Sequence, residues 1–303
     1  MMKLLATGDW HLRNKKPKNR TDDFVEAQKN KVTFILETAK LNGCNYILQP
    51  GDLFDSYQTS DYLKQLYISL LKEYEIPMLT VFGQHDMRYH SSNRDNTPTK
   101  VLDSSGVITV LPPSPVNIWF DVHFYGCSWG EEIPEVEDKS KFNVLLIHKM
   151  IVEDKLWEGQ EDHTLCNLLL RTTDFDLIVS GDNHKSFTTD FGHKALLNCG
   201  SLMRTNIDQV DHTPICFIVD IIDTGESSIV PIEIPHQVFE SVFNVEKATE
   251  EKEKNAELEA FIEGLKEEEV ELQGLNFRKN VDAYMAKNKT SEGVRQIINE
   301  VLA

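Results

Sequence analysis

No apolar run in this 303-residue chain approaches the ~20 residues that a membrane-spanning helix needs. The first residues carry one lysine and a short strand-like run before charge sets in, which is not the pattern of a secretory leader. Cysteine is sparse. Cys44, Cys127, Cys166, Cys199 and Cys216 are odd in number and form no C-x-x-C pair, so they read as reduced thiols of a cytosolic protein. Positive charge is in deficit, with 31 Lys and Arg against 49 Asp and Glu and a formal net charge of -18. Phosphate contacts supply most non-specific nucleic-acid affinity, so a protein that coats DNA unaided is disfavoured. No internal repeat and no long disordered tract is evident. A hydrophobic content of 40% and a charged content of 26% are ordinary for a soluble globular protein. The length suits one large α/β domain with a small appendage.

Alternation dominates the first half. Residues 3–7, 46–49 and 77–81 read as strands, and 23–42 and 59–74 as helices. Phe24, Ala27, Val32, Ile35, Leu36 and Ala39 form a helical stripe in the first helix. Such alternation predicts βαβ units and a sheet covered on both faces, with ligands collected at the carboxyl ends of its strands. Leu111-Pro112-Pro113-Ser114-Pro115 breaks the pattern. Strands then come closer together, at about 118–126, 143–147, 177–180, 186–190, 194–198, 213–221 and 228–234, predicting a second sheet packed on the first. Composition shifts near Pro235, which divides the chain into domains 1–235 and 236–303. Residues 246–270 hold ten Glu and four Lys, with Leu258, Phe261, Ile262 and Leu265 at helical spacing, so an exposed acidic helix is expected. Val294, Ile297, Ile298, Val301 and Leu302 form a stripe on a last short helix, with Thr290 or Ser291 as its N-cap. So short a helix needs something to bury that stripe.

The chemistry sits where apolar runs end. Leu4-Leu5-Ala6 leads into Asp9-Trp10-His11, and Tyr46-Ile47-Leu48 into Gly51-Asp52. Met78-Leu79-Thr80-Val81 leads into Gly83-Gln84-His85-Asp86. Val144-Leu145-Leu146-Ile147 ends at His148, and Leu177-Ile178-Val179 leads into Gly181-Asp182-Asn183-His184. Taken singly, a Gly-Asp pair in a turn is also what an N-cap looks like. Together, oxygen and imidazole groups gathered at strand ends suit two hard or borderline divalent ions, which can clamp both oxygens of a phosphoryl displacement.

The ordered pattern D-x-H, G-D, G-N-H-D, H, G-H-x-H resembles the calcineurin-like metallophosphoesterases. Gly51-Asp52-Leu53-Phe54-Asp55 and Asn198-Cys199-Gly200-Ser201 narrow the likeness to the SbcD branch, the nuclease subunit of the SbcC–SbcD repair complex, including short phage-encoded relatives. The resemblance covers roughly residues 1–235. It implies an α/β fold, a two-sheet sandwich flanked by helices, here with a small helical C-terminal extension. It implies that Asp9, His11 and His184 hold one ion, that Gln84, His148 and Asp182 hold a second, and that Asp52 bridges the two. Gln84 stands where Asn is usual, and Asp182 where the first His of G-H-x-H is usual. Both departures fall on the second ion and favour Mn²⁺ or Mg²⁺ over Zn²⁺. The open alternative is a decayed second site, with Asp182 only a turn residue.

By the same resemblance His85 acts on the scissile phosphate and its leaving oxygen, with Asp86 placed to orient the ring or raise its pKa. The attacking group is water activated by the metal, since no Ser, Cys or Thr is placed to attack. Arg13, Lys15, Lys16, Lys18 and Arg20 crowd the loop after His11, placed to hold a phosphate backbone, and Arg204 is a weaker candidate. A solvated loop is the competing reading. Trp129 and Tyr89 could stack on bases, but as single aromatics they read as packing residues.

The expected activity is metal-dependent DNA phosphodiester hydrolysis, by an exonuclease or endonuclease of DNA repair or recombination, in the cytoplasm (the host's, for a phage-encoded member). The expected partner is an SbcC-like coiled-coil ATPase, which would hold the DNA that so acidic a chain holds poorly. The 291–302 helix is the expected anchor; oligomeric state is open, a homodimer being what the relatives form. The alternatives are a small-molecule phosphodiesterase on the same fold, a catalytically weakened partner-binding subunit, and an acidic DNA mimic.

Overall fold

The computed structural model describes residues 2–91, 93–119, 121–154, 163–223, 226–250, 252–256, 277–288 and 290–301. Strand β1 (Met2–Ala6) lies parallel to β2 (Tyr46–Gln49), which pairs in turn with β3 (Met78–Thr80) and β4 (Thr109–Val110). β13 (Ile215–Asp223) returns antiparallel to β1, and β14 (Glu226–Glu233) pairs with β13, closing a six-stranded sheet of order β14-β13-β1-β2-β3-β4. The second sheet has order β11-β12-β10-β7-β6-β5. Its four central strands, β6 (Val122–Cys127), β7 (Phe142–His148), β10 (Leu177–Gly181) and β12 (Lys194–Asn198), run parallel. Its edges, β5 (Val116–Trp119) and β11 (Phe187–Phe191), run antiparallel.

Side-chain alternation fixes the layers. In β7, Val144 and Leu146 face the first sheet beside Leu4, Leu48 and Val219, while Leu145 and Ile147 face away, beside Leu169 and Leu170 of helix α4 (Cys166–Thr172). Leu5 and Ile47 face the helices α1 (Phe24–Leu41) and α2 (Asp61–Tyr74) that cover the first sheet. Strands buried on both faces explain the continuous apolar runs. The expected helix-flanked two-sheet sandwich is therefore the fold. Asp23 caps α1 by accepting from Glu26 N, and Ser60 caps α2 by accepting from Leu63 N.

Two details differ from expectation. The single strand predicted over 118–126 is two antiparallel strands, β5 and β6. The short elements β4, β8 (Ile151–Val152), β9 (Thr164–Leu165), α3 (Pro98–Ser104) and α4 carry too few residues for a legible period.

Compact units divide at Met1–Val238 and Phe239–Ala303. Within the second, Val294 and Ile298 of the last helix (Glu292–Val301) are buried with Val281, Tyr284 and Met285 of the helix Phe277–Lys287. Arg295 ties the two by donating to the carbonyls of Thr290 and Met285 at 2.9 and 3.0 Å. The terminal stripe thus has a local partner that the sequence reading did not foresee, and Val301 is left 78% exposed. Leu258, Phe261, Ile262, Leu265 and Leu302 lie outside the described residues. Among the described residues no helix is long and apolar enough to cross a membrane.

Candidate metal centre

The parallel strands of both sheets end on one edge, and their loops are knitted there by the bridges Asp9↔Ser201 and Leu12↔Phe54. His11, Asp52 and Asp182 have positive φ of 45°, 47° and 80°. Non-glycine residues rarely adopt this conformation, at about 1–3 kcal/mol each, and it clusters at functional sites. Surrounding bonds hold it: His11 N donates to Asp52 O at 2.9 Å, and Asp182 N to Asp9 Oδ2 at 3.0 Å. Gly83 and Gly181 let the loops close. A Cβ there would lie 2.1 Å from Asp52 Oδ1 and 2.4 Å from Asp9 Oδ1.

All seven expected ligands converge. Asp9, His11 and His184 present ligand atoms within 4.8 Å of one another. The Nε2 atoms of His11 and His184 lie 3.0 Å apart, and His184 Nε2 is 3.6 Å from Asp9 Oδ2. Asp52 Oδ2 lies 3.7 Å from His11 Nε2 and 3.4 Å from His148 Nε2, between the two expected ligand sets. Gln84 and Asp182 touch each other, the Gln84 amide nitrogen donating to Asp182 Oδ1 at 2.9 Å. A carboxylate only accepts, so the Gln84 amide oxygen faces the other way.

Buried polar atoms are ordinarily paired. Here Asp9 Oδ1, His11 Nδ1, Asp52 Oδ2, Gln84 Oε1 and His148 Nε2 are buried without a hydrogen-bond partner. Five of the seven expected ligands therefore carry an unsatisfied atom. The carboxylates strain against one another. Burial pushes Asp9 well above the usual range, opposed by His148 and reinforced by Asp52. For Asp52, burial also pushes up, but His148, His11 and His85 outweigh it and hold the carboxyl below its usual range. Burial would lower His148, yet Asp52 overrides it and raises the imidazole to about 10. Burial lowers His11 to about 3 and also lowers His184. Excess anion with unfilled lone pairs is what divalent cations satisfy, so the residues present fit such ions.

The sequence profile of the calcineurin-like phosphoesterases matches residues 2–186. The chain belongs to that family. It is 24% identical over 223 residues to the DNA double-strand break repair protein Mre11 of Halobacterium salinarum, covering 70% of this chain and 54% of that protein. It is 28% identical over 126 residues to Exonuclease subunit 1 of Enterobacteria phage T4, covering 40% of this chain and 35% of that one. The chain thus spans about half the first relative's length and about a third of the second's. TT1561 of Thermus thermophilus superposes with a TM-score of 0.50 at 12% identity, over 77% of this chain and 99% of its own, a likeness of fold.

In this phosphoesterase His85 sits at the rim, with its side chain 44% exposed. Its Nδ1 lies 2.9 Å from the Asp55 carbonyl, which only accepts, so Nδ1 carries the proton and Nε2 is left to the site, 4.0 Å from Asp52 Oδ2. Asp86 is not its partner, which corrects the expected pairing. Asp86 is buried beneath the turn and accepts from Leu53 N, Phe54 N, Gly83 N and the Thr99 hydroxyl. Burial and the nearby Asp52 raise it to about 6. The residue that does orient His85 is Asp55. Its role passes through a backbone carbonyl, which leaves no mark in sequence.

The basic loop divides. Arg20 is buried, paired with Asp22 and donating to the Arg204 carbonyl at 2.9 Å. Arg204 is buried too and donates to the Gln237 carbonyl. Neither stands at the surface to meet a phosphate, contrary to expectation. Arg13 pairs with the Asp55 carboxylate at 2.9 Å. Lys15, Lys16 and Lys18 are exposed and line a cleft of about 490 Å³ against Ser56, Gln58 and Thr59. A second cleft of about 550 Å³ is lined by His148, Asp182, Lys149 and the half-buried Trp129.

Proposed function

We propose that the chain is a metal-dependent DNA nuclease that hydrolyses backbone phosphodiesters, acting with an SbcC-like ATPase. The carrying observation is the convergence of seven ligand-type side chains, five with unsatisfied buried atoms, beside a lysine-lined cleft. Similarity to a repair protein and an exonuclease subunit supports DNA as substrate. Residues 1–235 form the catalytic domain and 236–303 the partner-binding region.

Asp9, His11 and His184 would hold one divalent cation and Gln84, His148 and Asp182 the other, with Asp52 available to both sets. The oxygen-rich second set favours Mn²⁺, with Mg²⁺ admissible. When bound, such ions supply Lewis acidity toward phosphoryl oxygens and a water that is nucleophilic at neutral pH. The protein supplies the rest. Asp55 fixes the His85 tautomer, and His85 Nε2 stabilises charge on the phosphate and gives a proton to the leaving oxygen when protonated. Lys15, Lys16 and Lys18 track the phosphate backbone, so their contacts position the strand without reading its sequence.

The test is Mn²⁺-dependent cleavage of linear DNA alongside bis(p-nitrophenyl) phosphate. The nuclease reading expects DNA to be cut and cutting to stop on chelation. Turnover of the chromogenic diester alone would favour a small-molecule phosphodiesterase. Undiminished DNA cleavage after exhaustive chelation would refute the two-cation mechanism.

A further inference from the structure

The loops that carry Asp55 and His85 also carry two tyrosines. Tyr57 follows Asp55 by two residues and Tyr89 follows His85 by four, so their Cα atoms lie within about 7 Å and 14 Å of those residues. The tyrosine rings meet at a centroid distance of 5.4 Å and an angle of 56°. The Tyr57 hydroxyl accepts from Gln58 Nε2 at 3.3 Å, and the Arg88 guanidinium lies 5.4 Å from the Tyr89 ring centroid. Tyr89 is 76% exposed. Its backbone is left-handed, φ 53° and ψ 34°, which for a bulky side chain costs on the order of 1–3 kcal/mol. Core packing does not offset that strain, because the ring stands in solvent. Packing, the role the sequence suggests for a lone Tyr89, does not describe this pair.

We infer that Tyr57, Tyr89 and Arg88 form a stacking platform for one unpaired nucleobase next to the phosphate that His85 addresses. Every base offers a π-face, so such a platform binds without reading sequence, and an arginine beside the ring adds cation–π attraction. A base inside a duplex has both faces covered by its neighbours. The platform therefore selects single-stranded or frayed nucleic acid. The lysine-lined cleft borders the same loop through Ser56, Gln58 and Thr59, so the backbone of a bound strand tracks the lysines while its base turns onto the tyrosines. This inference rests on the nuclease reading above.

Tyr89→Gly separates a ligand-binding role from a structural one, since glycine relieves the left-handed strain. The wild type, Tyr89→Gly and Tyr57→Phe/Tyr89→Phe proteins are titrated against labelled oligothymidylate and an abasic oligomer of equal length. Binding is read by anisotropy in the cold, and a gel checks that the oligomers stay intact. Tyr89→Gly should keep or raise Tm. Its Kd for oligothymidylate should rise about 5- to 150-fold, the equivalent of one lost stacked base. Abasic binding should not change, and the double Phe variant should match wild type. Unchanged oligothymidylate affinity, a parallel loss of abasic binding, or a lowered Tm would overturn the platform and leave the nuclease reading standing. A wild type that binds neither oligomer would overturn both.

Discussion

Gln84 and Asp182 depart from the family pattern, and the hydrogen bond between them makes the departures one feature. Considered one at a time, Gln84→Asn and Asp182→His each restore the usual residue and look tolerable. As a touching pair they are coupled. The shorter Asn withdraws the donor from Asp182, and His replaces its carboxylate acceptor with a ring nitrogen placed elsewhere. Each single variant should weaken Mn²⁺ binding, while the double variant recovers affinity, with a coupling of about 0.5–3 kcal/mol by calorimetric titration. Additive losses would show that the contact carries no energy. His148 leads to a pH prediction. Its imidazole is raised to about 10, so it is protonated at neutral pH, yet only the neutral ring ligates a metal. Mn²⁺ binding should therefore release protons, and affinity should rise from pH 6 to pH 8. Calorimetry in two buffers of different ionisation enthalpy reads that release, and zero release would contradict the assignment of His148 as a ligand. His85→Ala should lower kcat by about 10²–10⁴-fold while the bound metal count is unchanged. Loss of an ion would make His85 a ligand instead.

At the scale of elements, what was legible followed from period and position. The strand runs before Asp9, Asp52, Gln84, His148 and Asp182 are buried on both faces, so they stand out as unbroken apolar stretches. A residue at the end of each is constrained to one edge of the sheet. Asp86 and Arg20 were not legible, because both sit in ligand-bearing loops and differ from functional residues only in which way the side chain turns. The break between β5 and β6 was hidden because Trp119, Phe120, Val122 and Phe124 dominate the stretch and only Asp121 and His123 interrupt it. Leu146 tests the sandwich itself. It is wholly buried in the layer between the sheets, so Leu146→Ala should cost about 2–5 kcal/mol in denaturant unfolding. A loss well under that would mean the layer repacks. In the second unit, deleting residues from Ser291 onward strips the cover from Val281, Tyr284 and Met285. The shortened chain should lose protease resistance in the helix Phe277–Lys287 and keep its Mn²⁺ affinity, since every assigned ligand lies before Val238. Loss of metal binding would place the terminal helix in the catalytic core.

For the whole molecule the governing tension is charge. On the proposed nuclease reading, a chain of net charge -18 must hold a polyanion. The three exposed lysines of one cleft, the tyrosine pair and two divalent cations are a local answer, and a DNA-holding partner is a global one. Everything in that answer depends on the strand-end cluster binding two ions joined through Asp52, whose Oδ2 lies between His11 and His148. The most direct measurement is a count of Mn²⁺ per chain by native mass spectrometry, on the wild type and on Asp52→Asn. The account predicts two ions in the wild type and fewer in the variant, with the fold retained. One ion or none in the wild type, or two in both proteins, would contradict it.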